Sequence, residues 1–248
     1  MSEKIWQEYA VTLKEVLGLA DSPVAVSCIH EALEEPPGKK VRICKSILEA
    51  AKGAIFKINK ANNLCFGASW HLGFHRIRDP KIEAMVKKFV VEGEKLFCSY
   101  EALDSLMSQM EPVPDNSEAY FLLSPMEKAQ ALPEIVIFVV NAEGACRLLT
   151  FVTFFDGAMP KIKIGGPTCR MAIMYPLQSQ EVNLSFYDQT ARKLCAMDKD
   201  KLIITLPYSM IPKIIQSLDT CSGGRAKIEF PAEFRVFLQK RLTPGQVK

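Results

Sequence analysis

EIVIFVV, residues 134–140, runs without a break into NAEGACRLLTFVTFF, residues 141–155, and the reading of that junction decides the fold. The first run is far short of the roughly 20 apolar residues that a bilayer span needs. Its Ile and Val content and its length predict a buried strand. Asn141 then stands where a helix N-cap belongs, since its side-chain oxygen can accept one of the orphan N–H groups of a first turn. The spacing after it predicts a buried helix. A strand delivered straight into a helix implies a sheet with helices laid on it.

The same alternation extends in both directions. Residues 5–17 place Ile5, Tyr9, Leu13, Val16 and Leu17 at helical spacing, with Gly18 as C-cap. SPVAVSCI (22–29) reads as a strand after a Ser-Pro break, and EEPPGKK (34–40) as a loop. RICKSILEAAKG (42–53) reads as a helix closed by Gly53, and AIFKI (54–58) as a strand. PKIEAMVKKFVVEG and SYEALDSLMSQM read as helices, AYFLLSPM (119–126) as a strand, and KIKIGG (161–166) as a strand ending in a double glycine. VNLSF and DKLIITLP are further strands, and SMIPKIIQSL is a helix that tolerates Pro212 in its first turn. No repeat of 20 to 50 residues is visible. The pattern predicts an α+β fold, a mixed sheet with helices packed on it, over residues 1–220. CSGG, 221–224, predicts a hinge, and residues 221–248 a C-terminal tail in which Phe230, Phe234, Phe237 and Leu238 share a helical face. Such a face either packs back on the domain or docks a partner or second subunit.

Composition narrows the function classes. A net charge of +3 with scattered basic residues lacks the stripe that phosphate binding requires, so nucleic acid is not the expected partner. Glu3, Lys4, Glu8, Lys14 and Glu15 interrupt the apolar positions of the N-terminus, which does not read as a signal peptide. The expected location is cytoplasmic, with no transmembrane segment. There is no GxSxG, HExxH, GxxxxGK[ST] or GxGxxG, which disfavours a serine hydrolase, a zincin, a P-loop enzyme and a dinucleotide-binding dehydrogenase.

Chemistry-bearing residues are mostly cysteines. The chain has eight and no CxxC, so any thiolate site must be assembled from distant segments. Cys44 lies at a helix start in RICKS, Cys65 beside glycine in LCFGASWHLG, and Cys169 at a helix start after a double glycine in GGPTCR. Free N–H groups and the positive dipole end of a helix favour a thiolate, the form that metals and iron–sulfur clusters bind. Cys28 and Cys146 read as core packing. His71 and His75 are spaced i, i+4, as on a metal-binding helix face, although Gly73 weakens a helix between them. They read as structural or supporting residues. Asp188 and Arg192 could pair near a site or stand as plain surface charges.

The order of segments resembles the prokaryotic domain-of-unknown-function 169 family over roughly residues 5 to 218. The resemblance is carried by LGL, SPVAV, RICKS, CFGASWHLGF, PMEKAQALPEIVIFVVNAEGACRLL, GGPTC, VNLSF and LIITLP. The family pattern has a CR or CQ pair, a C-x-G-G-x-x-x-L-G-F segment and a cysteine after a glycine or serine turn, matched here by Cys44, Cys65 and Cys169. This chain reads CFGAS where the pattern has adjacent glycines. Many members also carry a cysteine in a V-S-L-x-C strand where this chain has Phe186, and Cys195, nine residues on, is not an evident replacement. Three matched cysteines and one missing suggest an iron–sulfur cluster of the 4Fe–4S type, or another thiolate-bound metal, on Cys44, Cys65 and Cys169. With one iron lacking a thiolate, it would do Lewis-acid or redox chemistry on a small anionic substrate or with a redox partner. Arg170 would then pair with a substrate carboxylate. The competing reading is a metal-free small-molecule binding, accessory or regulatory protein whose cysteines are reduced core residues.

Overall fold

The computed structural model describes residues 4–30, 38–74 and 80–241. Helix α1 (Ile5–Leu17) buries Ala10, Leu13 and Leu17 on one face and closes on Gly18, whose left-handed φ of 62° lets its N–H donate to the Glu15 carbonyl and the Leu19 N–H to that of Lys14. Strand β1 (Val24–Ile29), helix α2 (Ile43–Ala51), strand β2 (Phe56–Ile58) and the short helix α3 (Phe66–His71) follow. Helix α4 (Pro80–Lys88) runs on into a π-turn, Phe89–Gly93, and α5 (Tyr100–Ser108) is capped by the Ser99 hydroxyl. Strand β3 (Tyr120–Pro125) leads to β4 (Ile135–Val140) and helix α6 (Ala142–Phe154), where the Asn141 side chain accepts the Gly144 N–H at 2.9 Å.

A second π-turn, Arg170–Met174, opens into α7 (Tyr175–Ser179). Strand β5 (Asn183–Ser185), helix α8 (Gln189–Cys195), strand β6 (Leu202–Pro207), helix α9 (Ile211–Ser217) and helix α10 (Ala232–Arg241) complete the order.

The six strands form one sheet in the order β2-β3-β1-β4-β6-β5. All five pairings are antiparallel, not the mixed sheet that interleaved strands and helices predict, while the α+β class holds. Alternate residues of the central strand serve opposite faces. Ile135, Ile137 and Val139 join Val24, Val26, Ile43, Ile47, Ala172 and Ile203 in one core. Val136, Phe138 and Val140 join Leu13, Leu148, Phe151, Leu206 and Ile214 in the other. EIVIFVV is apolar at nearly every position because both of its faces are covered. One layer of helices is therefore α2, α3, the π-turn leading to α7, and α8; the other is α1, α6 and α9.

Three local expectations change. KIKIGG is not a strand, because the Lys163 N–H goes to the Asn183 side chain at 2.9 Å instead of a ladder carbonyl, and Gly165 and Gly166 have φ of 104° and 85°. Helix α6 is buried on one face only. Gly144, Ala145, Leu148 and Phe151 point inward, and Cys146 is exposed rather than core. CSGG is a tied turn rather than a loose hinge: Cys221 is buried, and Arg147 donates to the carbonyls of Gly223, Gly224 and Val16 at 2.8, 2.8 and 2.9 Å. Beyond it the Phe230 and Phe234 rings stack on each other, 5.8 Å between centroids, and each remains nearly half exposed. His75 and the side chains of Phe237 and Leu238 lie outside the described residues.

Candidate functional site

Two of the expected cysteines are brought together by a small parallel bridge between Val41 and Asn63. The Val41 N–H donates to the Asn62 carbonyl at 2.9 Å, and the Leu64 N–H donates to the Val41 carbonyl at 2.8 Å. Cys44 follows in the first turn of α2, and Cys65 follows as the N-cap of α3. Asn63 fixes the second position: its carboxamide accepts the Cys65 N–H at 3.2 Å and donates to the Cys65 carbonyl at 2.8 Å and to Ser69 Oγ at 2.7 Å. The Cys65 sulfur itself accepts the Ala68 N–H at 3.4 Å, a role usually filled by an oxygen.

The third cysteine is joined to the first through Tyr187 and Asp188. The buried Tyr187 hydroxyl donates to the Cys44 carbonyl at 2.6 Å. The next residue, Asp188, accepts the hydroxyl of Thr168 at 3.1 Å, and its own N–H donates back to that hydroxyl at 3.2 Å, beside Cys169. Asp188 also caps α8 by accepting the Ala191 N–H at 2.7 Å. Arg192 turns away and donates to the carbonyls of Asp198, Lys199 and Lys201, so Asp188 and Arg192 serve separate structural ends instead of pairing.

Electrostatics reports the same neighbourhood. Burial pushes the Cys44 thiol well above its ordinary range, and Cys169, Asp188, Cys195 and Cys65 add to the rise. The Cys169 thiol is raised by burial, then by Cys65 and Asp188, against opposing backbone N–H groups. Cys44 and Cys169 respond to neighbouring thiols because little water separates them. Without a nearby cation the deeply buried members stay protonated; a cationic centre among them would reverse the preference. Ser185 Oγ is buried with no hydrogen-bond partner, and its cross-strand neighbour Ile203 belongs to the core on this same face.

Two cavities flank this layer. One, about 720 Å³, is lined by Lys39, Lys40, Arg42, Lys45 and Lys57, with Leu194 on its α8 side; Glu49 is the carboxylate among them and pairs with Lys45 at 3.4 Å. Converging cations in a concave surface focus a positive field that attracts anions. The other, about 330 Å³, is lined by Trp70, His71, Met107, Met110, Glu111 and Arg170, among others. His71 is buried with its ring stacked on Trp70, 6.0 Å between centroids. Arg170 is buried too, and its guanidinium donates to the Glu111 carbonyl, so part of its capacity to pair with a substrate carboxylate is already used.

The residues suit some thiolate chemistries better than others. Among the described residues no three His, Cys, Asp or Glu side chains are grouped tightly enough for one metal ion, which needs each donor within about 2.0–2.3 Å of it. An iron–sulfur cluster asks less, since it spreads its thiolates over separate irons. The starts of α2 and α3, the turn before α7 and the end of α8 each bring a cysteine to the core of this face. Sequence reasoning missed the joining role of Asp188, which rests on its bonds with Thr168, 20 residues away in the chain.

The profile of the domain-of-unknown-function 169 family, described as an uncharacterised ArCR family, matches residues 12–217. No curated protein and no solved structure matches the chain. Among the described residues no helix is long and apolar enough to cross a membrane.

Proposed function

The chain belongs to the domain-of-unknown-function 169 family, and from that footing we propose that it is a cytoplasmic iron–sulfur protein whose cluster is held by Cys44, Cys65 and Cys169 and which acts on a small anionic substrate or redox partner. The observation that carries the reading is the frame of backbone bonds around these thiols. The Val41–Asn63 bridge ties the approach to Cys44 to the approach to Cys65, and the consecutive Tyr187 and Asp188 tie Cys44 to the turn of Cys169. These contacts, together with the packing of all three cysteines on one core, support the reading. All eight cysteines are free thiols, which suits a reducing compartment.

Such a cluster, when bound, supplies one-electron transfer, or a Lewis-acid position if one iron lacks a protein ligand. The protein's own part is to hold the three sulfurs and to lower the charge on them through N–H donors such as that of Ala68. Lys39, Lys40, Arg42 and Lys45 would gather an anion in the adjoining groove. Anaerobic purification or reconstitution with ferrous iron and sulfide, followed by iron and sulfide analysis and absorption spectra, tests the reading. A brown protein with a sulfide-to-iron ratio near unity supports it, and a colourless, iron-free protein refutes it.

One observation favours a second reading, a metal-free binding or regulatory protein: Cys169 is buried and Cys44 half-buried against the same core, and loss of hydration raises both thiols, as in inert core cysteines. Separate Cys→Ala changes discriminate. Under the first reading any of the three abolishes or alters the cluster; under the second each merely lowers stability by its own amount.

A further inference from the structure

The smaller cavity, about 330 Å³, is near the lower limit of natural small-molecule sites, and its walls are tied to one another. One wall is the end of α3, with Trp70 and His71, whose rings lie within 8° of parallel. A second is the chain from the end of α5 onward, with Met107, Met110 and Val113. Asn116, itself buried, joins the two: its N–H donates to the Gly73 carbonyl and its carboxamide to the Leu72 carbonyl, both at 2.8 Å. The Gln178 side chain holds the Pro112 carbonyl at 2.8 Å from the side of α7. Arg170 supplies the permanent positive charge of the lining. It is 3% exposed, and a guanidinium stays charged even when buried. Such a charge is costly unless it is paired. Among the described residues no carboxylate forms an ion pair with it, and its hydrogen bond goes to the Glu111 backbone carbonyl. The Glu111 carboxylate pairs with Lys163 at 3.5 Å instead. A buried planar donor with N–H groups to spare, set among rings and thioethers, matches one ligand chemistry: a carboxylate on a flat apolar body.

We infer that this cavity binds a small aromatic monocarboxylate, its carboxylate held by Arg170 and its ring laid against Trp70 and His71 among the Met107 and Met110 side chains. One guanidinium suits a single negative charge better than a doubly charged phosphate, and the volume suits a single ring. The site needs no metal, so it stands apart from the iron–sulfur reading. It also stands apart from the larger groove, whose cations are exposed to solvent rather than buried.

The test uses the full chain, treated with a chelator, and follows benzoate by isothermal titration calorimetry and saturation-transfer NMR. Benzoate is expected to bind saturably with a Kd of about 1 mM or tighter. The neutral isostere benzamide and the non-aromatic cyclohexanecarboxylate should each bind at least about tenfold more weakly. Arg170→Gln should weaken benzoate by at least about tenfold and leave benzamide unchanged, a pattern that general loosening of the fold does not produce. Met107→Trp, at a half-buried position of the lining, fills the space and should weaken benzoate with Arg170 still in place. Lys45→Glu, in the larger groove, should change nothing. Equal affinity for benzoate and benzamide, benzoate binding that is lost in Lys45→Glu but kept in Met107→Trp, or no saturable benzoate binding at all overturns the assignment, and none of these results bears on the cluster. Should Arg170→Gln fail to fold, the benzoate-to-benzamide ratio in the wild type and the Met107→Trp result decide.

Discussion

The Tyr187 hydroxyl donates to the Cys44 carbonyl at 2.6 Å, joining residues 143 positions apart inside the cysteine-bearing layer. Tyr187 is almost wholly buried, so its hydroxyl and that carbonyl have no water to turn to if the bond is removed. Tyr187→Phe keeps the ring and deletes the donor. The expected cost is about 0.5–1.5 kcal/mol of unfolding free energy in urea denaturation, the net worth of one intramolecular hydrogen bond, since the Cys44 carbonyl inside α2 keeps its place in the helix ladder. If the cluster reading holds, the same variant loses iron to a chelator faster than wild type, since the start of α2 is no longer fixed. A variant equal to wild type in both measurements would remove Tyr187 from the frame of the site.

Two glycines of the CFGASWHLG stretch are expected to behave oppositely. Gly73 has a φ of +77°, and a Cβ there would stand 2.1 Å from the Pro114 carbonyl oxygen. Gly73→Ala should cost about 1–3 kcal/mol for backbone conformation alone, with the collision added. Gly67 has ordinary backbone, and its nearest neighbour for a Cβ is the Cys65 sulfur at 3.8 Å. Gly67→Ala, inside α3, should leave stability unchanged or raise it by up to about 1 kcal/mol. Thermal unfolding of the pair checks this. A tolerant Gly73 would undermine the reading of that turn as sterically fixed.

These contrasts explain what could be read before any coordinates. The sheet with helices laid on it was legible because the unbroken apolar run of EIVIFVV and the helical spacing in residues 5–17 each record burial. The Asn141 cap was legible because capping is local chemistry. KIKIGG misled because its alternation matches a strand, while a single distant side chain, Asn183, takes the N–H that pairing would use. Cys44, Cys65 and Cys169 stood out through their local settings and the family resemblance. The joining role of Asp188 did not, because it depends on the bond to Thr168, and such long-range bonds leave no mark at the residues they join.

Arg147 is expected to be the main tie of the chain after α9. Its guanidinium serves the carbonyls of Val16, Gly223 and Gly224 together, and Gly223 has no room for a side chain, since a Cβ would lie 2.5 Å from the Arg147 carbonyl. Arg147→Ala should lower stability by about 1.5–3 kcal/mol, the range for a hydrogen bond that involves a charged group. It should also make the segment after residue 224 the first site of limited proteolysis. A variant with wild-type stability and an unchanged digestion pattern would show that the turn holds without the clamp.

Cys28 is expected to make stability fall at alkaline pH. Burial first, and then the Glu134 carboxylate, push its thiol from 9.0 up to about 12. The Glu134 carboxylate also accepts the Cys28 N–H at 2.5 Å, which holds that charge near the sulfur. Below pH 9 the thiol is protonated in both folded and unfolded chains, and its contribution to stability is fully present. Between pH 9 and about 12 the unfolded thiol ionises while the folded one does not, so the unfolded chain gains and stability falls as pH rises. The expected outcome is a urea midpoint that declines above pH 9 in wild type and declines less in Cys28→Ala, whatever the absolute stability of that variant. Glu134→Gln should soften the decline only in part, because burial is the larger cause. Iodoacetamide gives an independent reading: at pH 9 the folded protein should be modified at the exposed Cys98 and Cys146 well before Cys28. Matching pH profiles for wild type and Cys28→Ala, together with early modification of Cys28, would place its thiol in the ordinary range and remove this residue as a cause of alkaline instability.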